Sequence, residues 1–219
     1  KAIQRKLDPS RPCTAAMNGS WGQGFTKAVD VQGFNYYTIG TWTKGGSVDD
    51  IHKRFPNLPC ILTEEASTLM TRGIYKTEAE KGFHQSYDRD HPDWGATAQR
   101  WMKFVDERKF LAGAFVWTGF DYLGEPTPYY TDWPSHSSLF GIIDLAGLPK
   151  DRYYLYRSHW NKEAETLHIL PHWTWKGREG EVTPVFVYTN YPSAELFING
   201  KSQGKRTKDL SVTVFNSSI

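Results

Sequence analysis

Short apolar segments alternate with amphipathic segments along the first half of this chain, and the alternation restricts the folds that it can adopt. Apolar runs predict four buried strands, at residues 12–16, 28–37, 59–64 and 111–117. Apolar residues at the helical period predict a helix over residues 94–108 with Asp93 as its N-cap, and a weaker pattern predicts one over residues 48–54. Because strands separated by helices favour a parallel sheet, the fold class is α/β.

The chain changes character near Pro171. After a helix predicted from residue 153 to residue 160, residues 181–188 are rich in β-branched side chains. Residues 194–201 then alternate with period two and include the pair Asn199-Gly200, the strongest hairpin signal in the chain. The sequence therefore predicts the start of an all-β domain. This stretch is much shorter than the ~100 residues of an immunoglobulin-like sandwich, so we expect the chain to be a fragment.

Bulk composition argues against two classes of partner. The formal net charge is +2 and the Lys and Arg residues are spread along the chain, so we expect no nucleic acid partner. No apolar stretch approaches the length of a membrane span, so we expect no membrane partner. Aromatic residues make up 15% of the chain and include 9 Trp, which suits both a core and platforms for sugar rings. Cys13 and Cys60 are expected to be free thiols.

The segment that begins at Pro59 carries the strongest candidate for a catalytic residue. It is an apolar run, typical of a short buried strand, and it ends in Thr63-Glu64-Glu65. Catalytic residues of parallel α/β barrels lie at the C-terminal tips of the strands. A carboxylate there can act as nucleophile or as acid/base on a glycosidic bond, provided that a second carboxylate lies across the bond. Because neighbouring side chains on a strand point to opposite faces, only one of Glu64 and Glu65 can face the pocket.

Several motifs follow one another in a characteristic order. They are Leu7-Asp8-Pro9-Ser10-Arg11-Pro12, Gly33-Phe34-Asn35-Tyr36-Tyr37, Thr63-Glu64-Glu65-Ala66-Ser67, Phe115-Val116-Trp117, Asp121-Tyr122-Leu123-Gly124-Glu125-Pro126, and Gly141-Ile142-Ile143-Asp144 with Pro149-Lys150. Together they resemble the C-terminal half of the catalytic barrel of family 2 glycoside hydrolases, especially β-galactosidases, with the start of the next domain. The resemblance implies half of a (β/α)8 TIM barrel over residues 1–165, followed by part of an all-β, immunoglobulin-like sandwich over residues 171–219.

The same resemblance implies roles for individual residues. Glu64 matches the catalytic nucleophile, and Glu65 takes the place of a variable neighbour. A Tyr hydroxyl from the preceding strand orients the nucleophile in the family, and either Tyr36 or Tyr37 matches it. Trp117 matches the aromatic floor beneath the bound sugar.

Two acidic residues in the loop after Trp117 are further candidates for the binding of sugar hydroxyls. They are Asp121 and Glu125. Solvated loop carboxylates are the competing interpretation for this pair. A metal site is not expected in this chain, because the family's metal ligands lie near the acid/base, and no cofactor is expected.

Departures from the family pattern bear on substrate choice. β-Glucuronidases of the family carry an Asn-x-Lys pair that grips the substrate carboxylate, and here those two positions are Ser138 and Phe140. The missing cation favours a neutral sugar, hence a β-galactoside as the carbohydrate partner, over a uronic acid. Ser67 stands where some β-galactosidases have His, so contacts in the pocket are expected to differ. β-Mannosidase and β-glucuronidase are the alternatives within the enzyme class, and a non-catalytic carbohydrate-binding or interaction module is the alternative outside it.

The family acid/base is a Glu that follows an Asn, and no Asn-Glu pair occurs in this chain. We therefore expect the acid/base to lie upstream and this chain alone to be inactive. The edges of an incomplete barrel would also favour self-association, so a homo-oligomer is possible. The family resemblance is compatible with a periplasmic or secreted protein and leaves the localisation open.

Overall fold

The structure, a computed structural model, describes residues 1–37, 46–129, 135–209 and 212–218, the last segment by its backbone alone. The chain divides into two compact units. Unit 1 comprises residues 1–68 and 91–118, and unit 2 comprises residues 69–90 and 119–219. The boundary predicted between residues 165 and 171, which would separate a barrel portion from a sandwich portion, stays a prediction.

Unit 1 is built on a parallel sheet of three strands flanked by helices. Its elements are α1 (Ala2–Leu7), β1 (Gln32–Asn35), α2 (Val48–Arg54), β2 (Cys60–Ala66), α3 (Ala98–Asp106) and β3 (Leu111–Trp117). The strand order is β1-β2-β3, and both pairings are parallel, as the alternation of strands and helices predicted. Asn35 pairs with Glu64, and Ala66 pairs with Trp117. The C-terminal ends of all three strands therefore lie along one edge of the sheet.

The N-termini of α2 and α3 are fixed by side-chain caps. Ser47 and Asp50 form a capping box at the start of α2, and the predicted helix at residues 48–54 is present. The predicted helix at residues 94–108 is present but shorter. Its N-cap is Thr97, whose side chain accepts the Arg100 N–H, so the prediction of Asp93 as the cap was wrong.

The strand predicted at residues 12–16 is not formed. That segment lies alongside β1 with irregular hydrogen bonds: the Cys13 carbonyl accepts from Asp30 and Val31, and the Met17 carbonyl accepts from Asn35. Gly33 permits the close approach, because a Cβ at that position would lie 2.1 Å from the Ala15 carbonyl oxygen. The apolar pattern predicted a segment that packs against the sheet without predicting its pairing.

The core of unit 1 is apolar and packs beneath the sheet. Trp21, Phe34, Ile51 and Leu62 are fully buried in it. The Trp21 ring meets the Phe34 ring edge-on at 4.7 Å between centroids, and its Nε1–H donates to the Met17 carbonyl at 2.7 Å. This hydrogen bond satisfies the single polar atom of the indole and offsets the cost of removing it from water.

Unit 2 combines a helix with antiparallel strands. Its elements are α4 (Asp151–Trp160), β4 (Leu167–Leu170), β5 (Val182–Thr189), β6 (Ser193–Ile198), β7 (Lys201–Thr207) and β8 (Val212–Ser218). β4, β5 and β8 form one antiparallel sheet, and β6 and β7 form a hairpin. The hairpin turns at Asn199 and Gly200, with φ of 49° and 76°, which confirms the turn predicted there.

Strand β4 was not predicted. Its outward side chains, Leu167 and Ile169, are apolar yet 68% and 48% exposed. Their presence on the solvent face removes the alternation of polar and apolar residues by which a half-buried strand is recognised. The strand is defined instead by its antiparallel pairing with β5.

Leu62→Ala tests the core of unit 1. Leu62 is fully buried on the central strand, so we expect the free energy of unfolding to fall by about 2–5 kcal/mol through lost burial and a residual cavity. Urea denaturation measures the change. Leu7→Ala is the matched control, because Leu7 is 79% exposed and its truncation should cost little. Equal losses for both variants would contradict this description of the core.

Candidate active site

The C-terminal end of β2 presents two adjacent glutamates in different environments. The Glu65 residue is 1% exposed, whereas the Glu64 residue is half-buried. The pleat of the strand directs consecutive side chains to opposite faces, which accounts for the difference. Glu64 is therefore the glutamate of the pair that remains partly open to solvent.

Glu64 receives a hydrogen bond from the end of the neighbouring strand. The Tyr36 hydroxyl donates to Glu64 Oε2 at 2.8 Å, and the Ser67 hydroxyl donates to the Tyr36 oxygen at 2.8 Å. Both Tyr36 and Ser67 are buried. The three side chains form a chain of donors that ends on the carboxylate, and such chains strengthen their members by mutual polarisation.

The backbone at this site adopts conformations that are unusual for residues with a Cβ. Tyr36 and Ser67 have φ of 54° and 49°, in the left-handed region. Such residues cost about 1–3 kcal/mol each and are concentrated at functional sites. The Tyr36 N–H donates to the Glu64 carbonyl at 2.8 Å, which anchors the turn to β2. The turn directs the phenol toward the carboxylate.

Electrostatics assigns different protonation states to these groups. Burial raises the pKa of Tyr36 well above its ordinary value, and the neighbouring Glu64 charge adds to the rise, so the phenol stays protonated and remains a donor. Burial also raises the pKa of Glu65 to about 8; the Tyr37 N–H opposes this shift and the Glu64 charge adds to it. Burial therefore favours the neutral form of Glu65 at pH 7.

Tyr36 and Tyr37 were both candidates for the contact with Glu64, and Tyr36 makes it. The Tyr37 ring stacks on Phe104 of α3 with centroids 4.1 Å apart, and the Tyr37 N–H donates to Glu65 Oε1 at 2.5 Å. Trp117 is half-buried at the end of β3, where it pairs with Ala66. Its role as the floor of a sugar site stays a prediction.

Asp121, in unit 2, is occupied by partners within the chain. Its carboxylate is 2.7 Å from Lys150 Nζ and also accepts the Gly141 N–H at 2.8 Å. Lys150 donates to the Met70 carbonyl as well, at 2.8 Å. Burial raises the pKa of Asp121 and lowers that of Lys150, and their mutual attraction opposes both shifts. These contacts favour a structural role for Asp121, and its predicted contact with sugar hydroxyls remains untested.

A cavity of about 460 Å³ in unit 2 is bordered by Asp121 and Lys150. Arg72 and Asp144 line the same cavity and form an ion pair with each other at 2.5 Å. Glu125 is exposed elsewhere in unit 2, where its Oε1 accepts the Thr127 hydroxyl at 2.9 Å. Its predicted role in sugar binding also remains untested.

Two features of the site were missed by sequence reasoning. The first is the Ser67 hydroxyl as a donor to Tyr36, which no local pattern indicates. The second is the burial of Glu65, for which the strand pleat was a usable signal, since it already required one glutamate to face inward. Neither feature changes the choice of Glu64 as the candidate nucleophile.

The described residues contain neither a candidate metal cluster nor a candidate membrane span. Within the described residues, no group of three or more His, Cys, Asp or Glu side chains is arranged to hold a metal ion. None of the helices in the described part of the chain is long and apolar enough to cross a membrane. Cys13 and Cys60 are both free thiols, as predicted.

Comparison with known proteins finds similar enzymes over nearly the whole of this chain. A β-galactosidase, BoGH2A, from Bacteroides ovatus is 42% identical over 93% of this chain and 25% of that protein. A putative β-glucuronidase from Formosa agariphila is 32% identical over 98% of this chain and 22% of its own length. The solved structure of a β-glycosidase from Bacteroides vulgatus matches with a TM-score of 0.79 at 31% identity, over 99% of this chain and 30% of that one.

The chain is homologous to family 2 glycoside hydrolases over nearly its whole length. It spans about a quarter of the length of these curated relatives. A separate family model, described as a domain of unknown function (DUF4982), matches residues 180–216, which cover β5 to β7 and the first part of β8. The α/β fold of unit 1 and the antiparallel strands of unit 2 agree with the family, whose members join a barrel to sandwich domains.

Asp121→Asn separates a structural role from a substrate-binding role. We expect the free energy of unfolding to fall by about 3–5 kcal/mol, because the Lys150 charge would be left buried without its counter-ion. Urea denaturation of the full-length protein measures the loss, with the exposed Asp209→Asn as control. Undiminished stability combined with weaker sugar binding would instead assign Asp121 to the substrate.

Proposed function

We propose that this chain supplies the nucleophile of a retaining β-galactosidase that hydrolyses terminal β-D-galactosides by double displacement. The observation that carries the proposal is the 2.8 Å hydrogen bond from Tyr36 to Glu64 at the C-terminal end of a parallel strand. It presents a partly exposed carboxylate, oriented by a neutral donor, at the edge of the sheet where enzymes of this architecture carry out their chemistry.

Glu64 is the nucleophile in this proposal. Its ionised carboxylate attacks the anomeric carbon, the bond to the leaving oxygen breaks, and a glycosyl ester forms on Glu64. Tyr36 holds Oε2, so we assign the attack to Oε1. In the second step water attacks the anomeric carbon, the bond from that carbon to Glu64 breaks, and Glu64 leaves as a carboxylate while the sugar leaves with the new hydroxyl. The Tyr36 hydroxyl stabilises that charge each time it reappears.

A second carboxyl group is required for the leaving group. In a retaining enzyme it lies about 5–5.5 Å from the nucleophile, first protonates the leaving oxygen and then activates water. We propose that this acid/base is a Glu after an Asn that is not among the residues of this chain, since no Asn-Glu pair occurs in it. The chain alone is then expected to be inactive.

A neutral galactoside is preferred as the substrate. The relative named as a β-galactosidase is 42% identical, and the one named as a putative β-glucuronidase is 32% identical. At the positions where glucuronidases carry the carboxylate-binding pair, Ser138 and Phe140 are both buried here and neither is cationic. Lys150, the nearby lysine in sequence, pairs with Asp121. These observations support a substrate without a carboxylate.

The proposal includes an architecture. β1, β2 and β3 are proposed as strands of the C-terminal half of an eight-stranded barrel within residues 1–165. The antiparallel strands that follow residue 171 are proposed as the start of an immunoglobulin-like sandwich. Two consecutive parallel pairings among three strands, with a helix between each strand and the next, support the first assignment.

Trapping with an activated 2-fluoro-galactoside tests the nucleophile. Its leaving group departs with little acid assistance, so the ester should accumulate on Glu64 of the full-length protein and be found there by peptide mass mapping. Glu64→Gln should prevent labelling and lower kcat about 10³-fold or more. Glu163→Gln, at an exposed position, is the control.

Each outcome of the trapping experiment is informative. A label on Glu64 from the galactoside but not from the matching glucuronide or mannoside supports the proposed specificity. A label from the glucuronide alone would replace galactoside by glucuronide as the substrate. A label on a different residue, or none in a protein that binds galactose, would favour the non-catalytic module.

Tyr36→Phe tests the donor to the nucleophile. Loss of one hydrogen bond to a charged group costs about 1.5–3 kcal/mol, so kcat should fall roughly 10- to 150-fold. Steady-state kinetics with an aryl galactoside measures the loss. Tyr37→Phe is the matched control, because it removes a hydroxyl from the adjacent residue, whose ring packs on Phe104. Equal effects of the two substitutions would contradict the assignment of Tyr36.

A further inference from the structure

The second glutamate of the pair, Glu65, is not used by the proposed reaction and is unusually placed for a carboxyl group. It is 1% exposed and pairs across the sheet with Val116 of β3. Its Oε1 accepts the Tyr37 N–H at 2.5 Å. Burial of a carboxyl group beside the proposed nucleophile costs free energy, because burial penalises its charged form. Such a placement is a reason to look for a role for Glu65.

The contact with Tyr37 forms half of a double anchor. The Tyr36 N–H donates to the Glu64 carbonyl, and the next N–H, that of Tyr37, donates to the Glu65 side chain. Two successive amides of the turn after β1 are thereby tied to two successive residues of β2. The left-handed backbone of Tyr36 lies between these two ties, so they limit the position that its side chain can reach.

Several ionisable groups surround this anchor. Glu64 lies on the same strand, and Tyr36 and Tyr37 lie on the turn after β1. From α3 and the residues that follow it, Arg100 and Arg108 act on the Tyr37 phenol by lowering its pKa, against the larger effect of burial. The negative charge of Glu64 raises the pKa of Glu65, in the same direction as burial.

We propose that Glu65 is a positioning residue whose contact with the Tyr37 N–H holds the Tyr36–Tyr37 turn so that the Tyr36 hydroxyl reaches Glu64. The inference rests on the proposed function and adds to it a residue that touches neither sugar nor reacting atoms. The protonated form of Glu65 serves this role, because its ionisation would place a second negative charge in the interior beside Glu64, and repulsion between the two carboxylates would displace the turn from the position at which Tyr36 meets the nucleophile.

The protonation state can be tested without any activity. A carboxyl group that binds its proton more tightly in the folded protein makes stability fall as pH rises from its ordinary value of 4.5 to about 8, and leaves it level above that. Glu65→Gln removes this titration and keeps the carbonyl acceptor. As the pH rises from 4.5 to about 8, the melting temperature of Glu65→Gln should therefore increase relative to that of the wild type. The exposed Glu163→Gln should show no such gain.

The positioning role is tested by kinetics of the full-length protein on an aryl galactoside whose leaving group needs no protonation. The alkaline limb of kcat/KM then does not depend on the general acid. Glu65→Ala should lower kcat about tenfold or more while KM changes little, as expected for a displaced catalytic group. Glu65→Gln should recover most of that loss and retain its activity to higher pH than the wild type does.

The two sets of measurements distinguish the failure of this inference from the failure of the proposed function. A melting-temperature difference that does not vary with pH would show that Glu65 is ionised throughout, and would overturn the inference. Full kcat in Glu65→Ala, or identical pH profiles for the wild type and Glu65→Gln, would overturn it as well. A wild type that hydrolyses no glycoside would refute the proposed function, and the melting temperatures would still report whether Glu65 is neutral.

Discussion

The hydrogen bond from Tyr36 to Glu64 depends on the parallel pairing of β1 with β2. Parallel strands end at the same edge of a sheet, and Asn35 pairs with Glu64, so the residue that follows β1 lies beside the candidate nucleophile. The left-handed turn at Tyr36 then directs the phenol toward it. The core beneath, centred on Phe34 and Leu62, fixes the two strands relative to each other. Packing in the sheet thus determines the geometry of a polar contact at its edge.

Two adjacent carboxyl groups acquire different properties from the pleat of a single strand. Glu64 faces a partly open edge and a phenol donor, whereas Glu65 faces the interior and one backbone amide. The dielectric environment changes within one residue, and burial favours the neutral form of Glu65. Two chemically identical side chains can thus have different roles at one site, with Glu64 as the proposed nucleophile and Glu65 as the proposed positioning residue.

Sequence patterns predicted those elements whose determinants lie close together in the chain. α2 has its capping box within four residues, the hairpin has Asn199 and Gly200, and β3 is a continuous apolar run. Prediction failed where a distant partner decides, as for residues 12–16 and for β4. Glu64 was identifiable from its place at a strand end. The sequence could not distinguish Tyr36 from Tyr37 as the donor to Glu64, because both carry the same hydroxyl. The left-handed backbone that directs Tyr36 toward Glu64 is not evident from the residue type. The partnership of Asp121 with Lys150 likewise spans 29 residues.

The interleaving of the two units along the chain has a consequence for synthesis. The ribosome releases residues 69–90, which belong to unit 2, before it releases residues 91–118, which contain β3 and complete the sheet of unit 1. β2 therefore emerges well before its second neighbour, and its edge is exposed in the meantime. Unit 2 in turn stays incomplete until the last strands are made. Because the segments of the two units alternate along the chain, we expect this stretch of the nascent chain to depend on protection from aggregation until the strands of unit 2 have emerged.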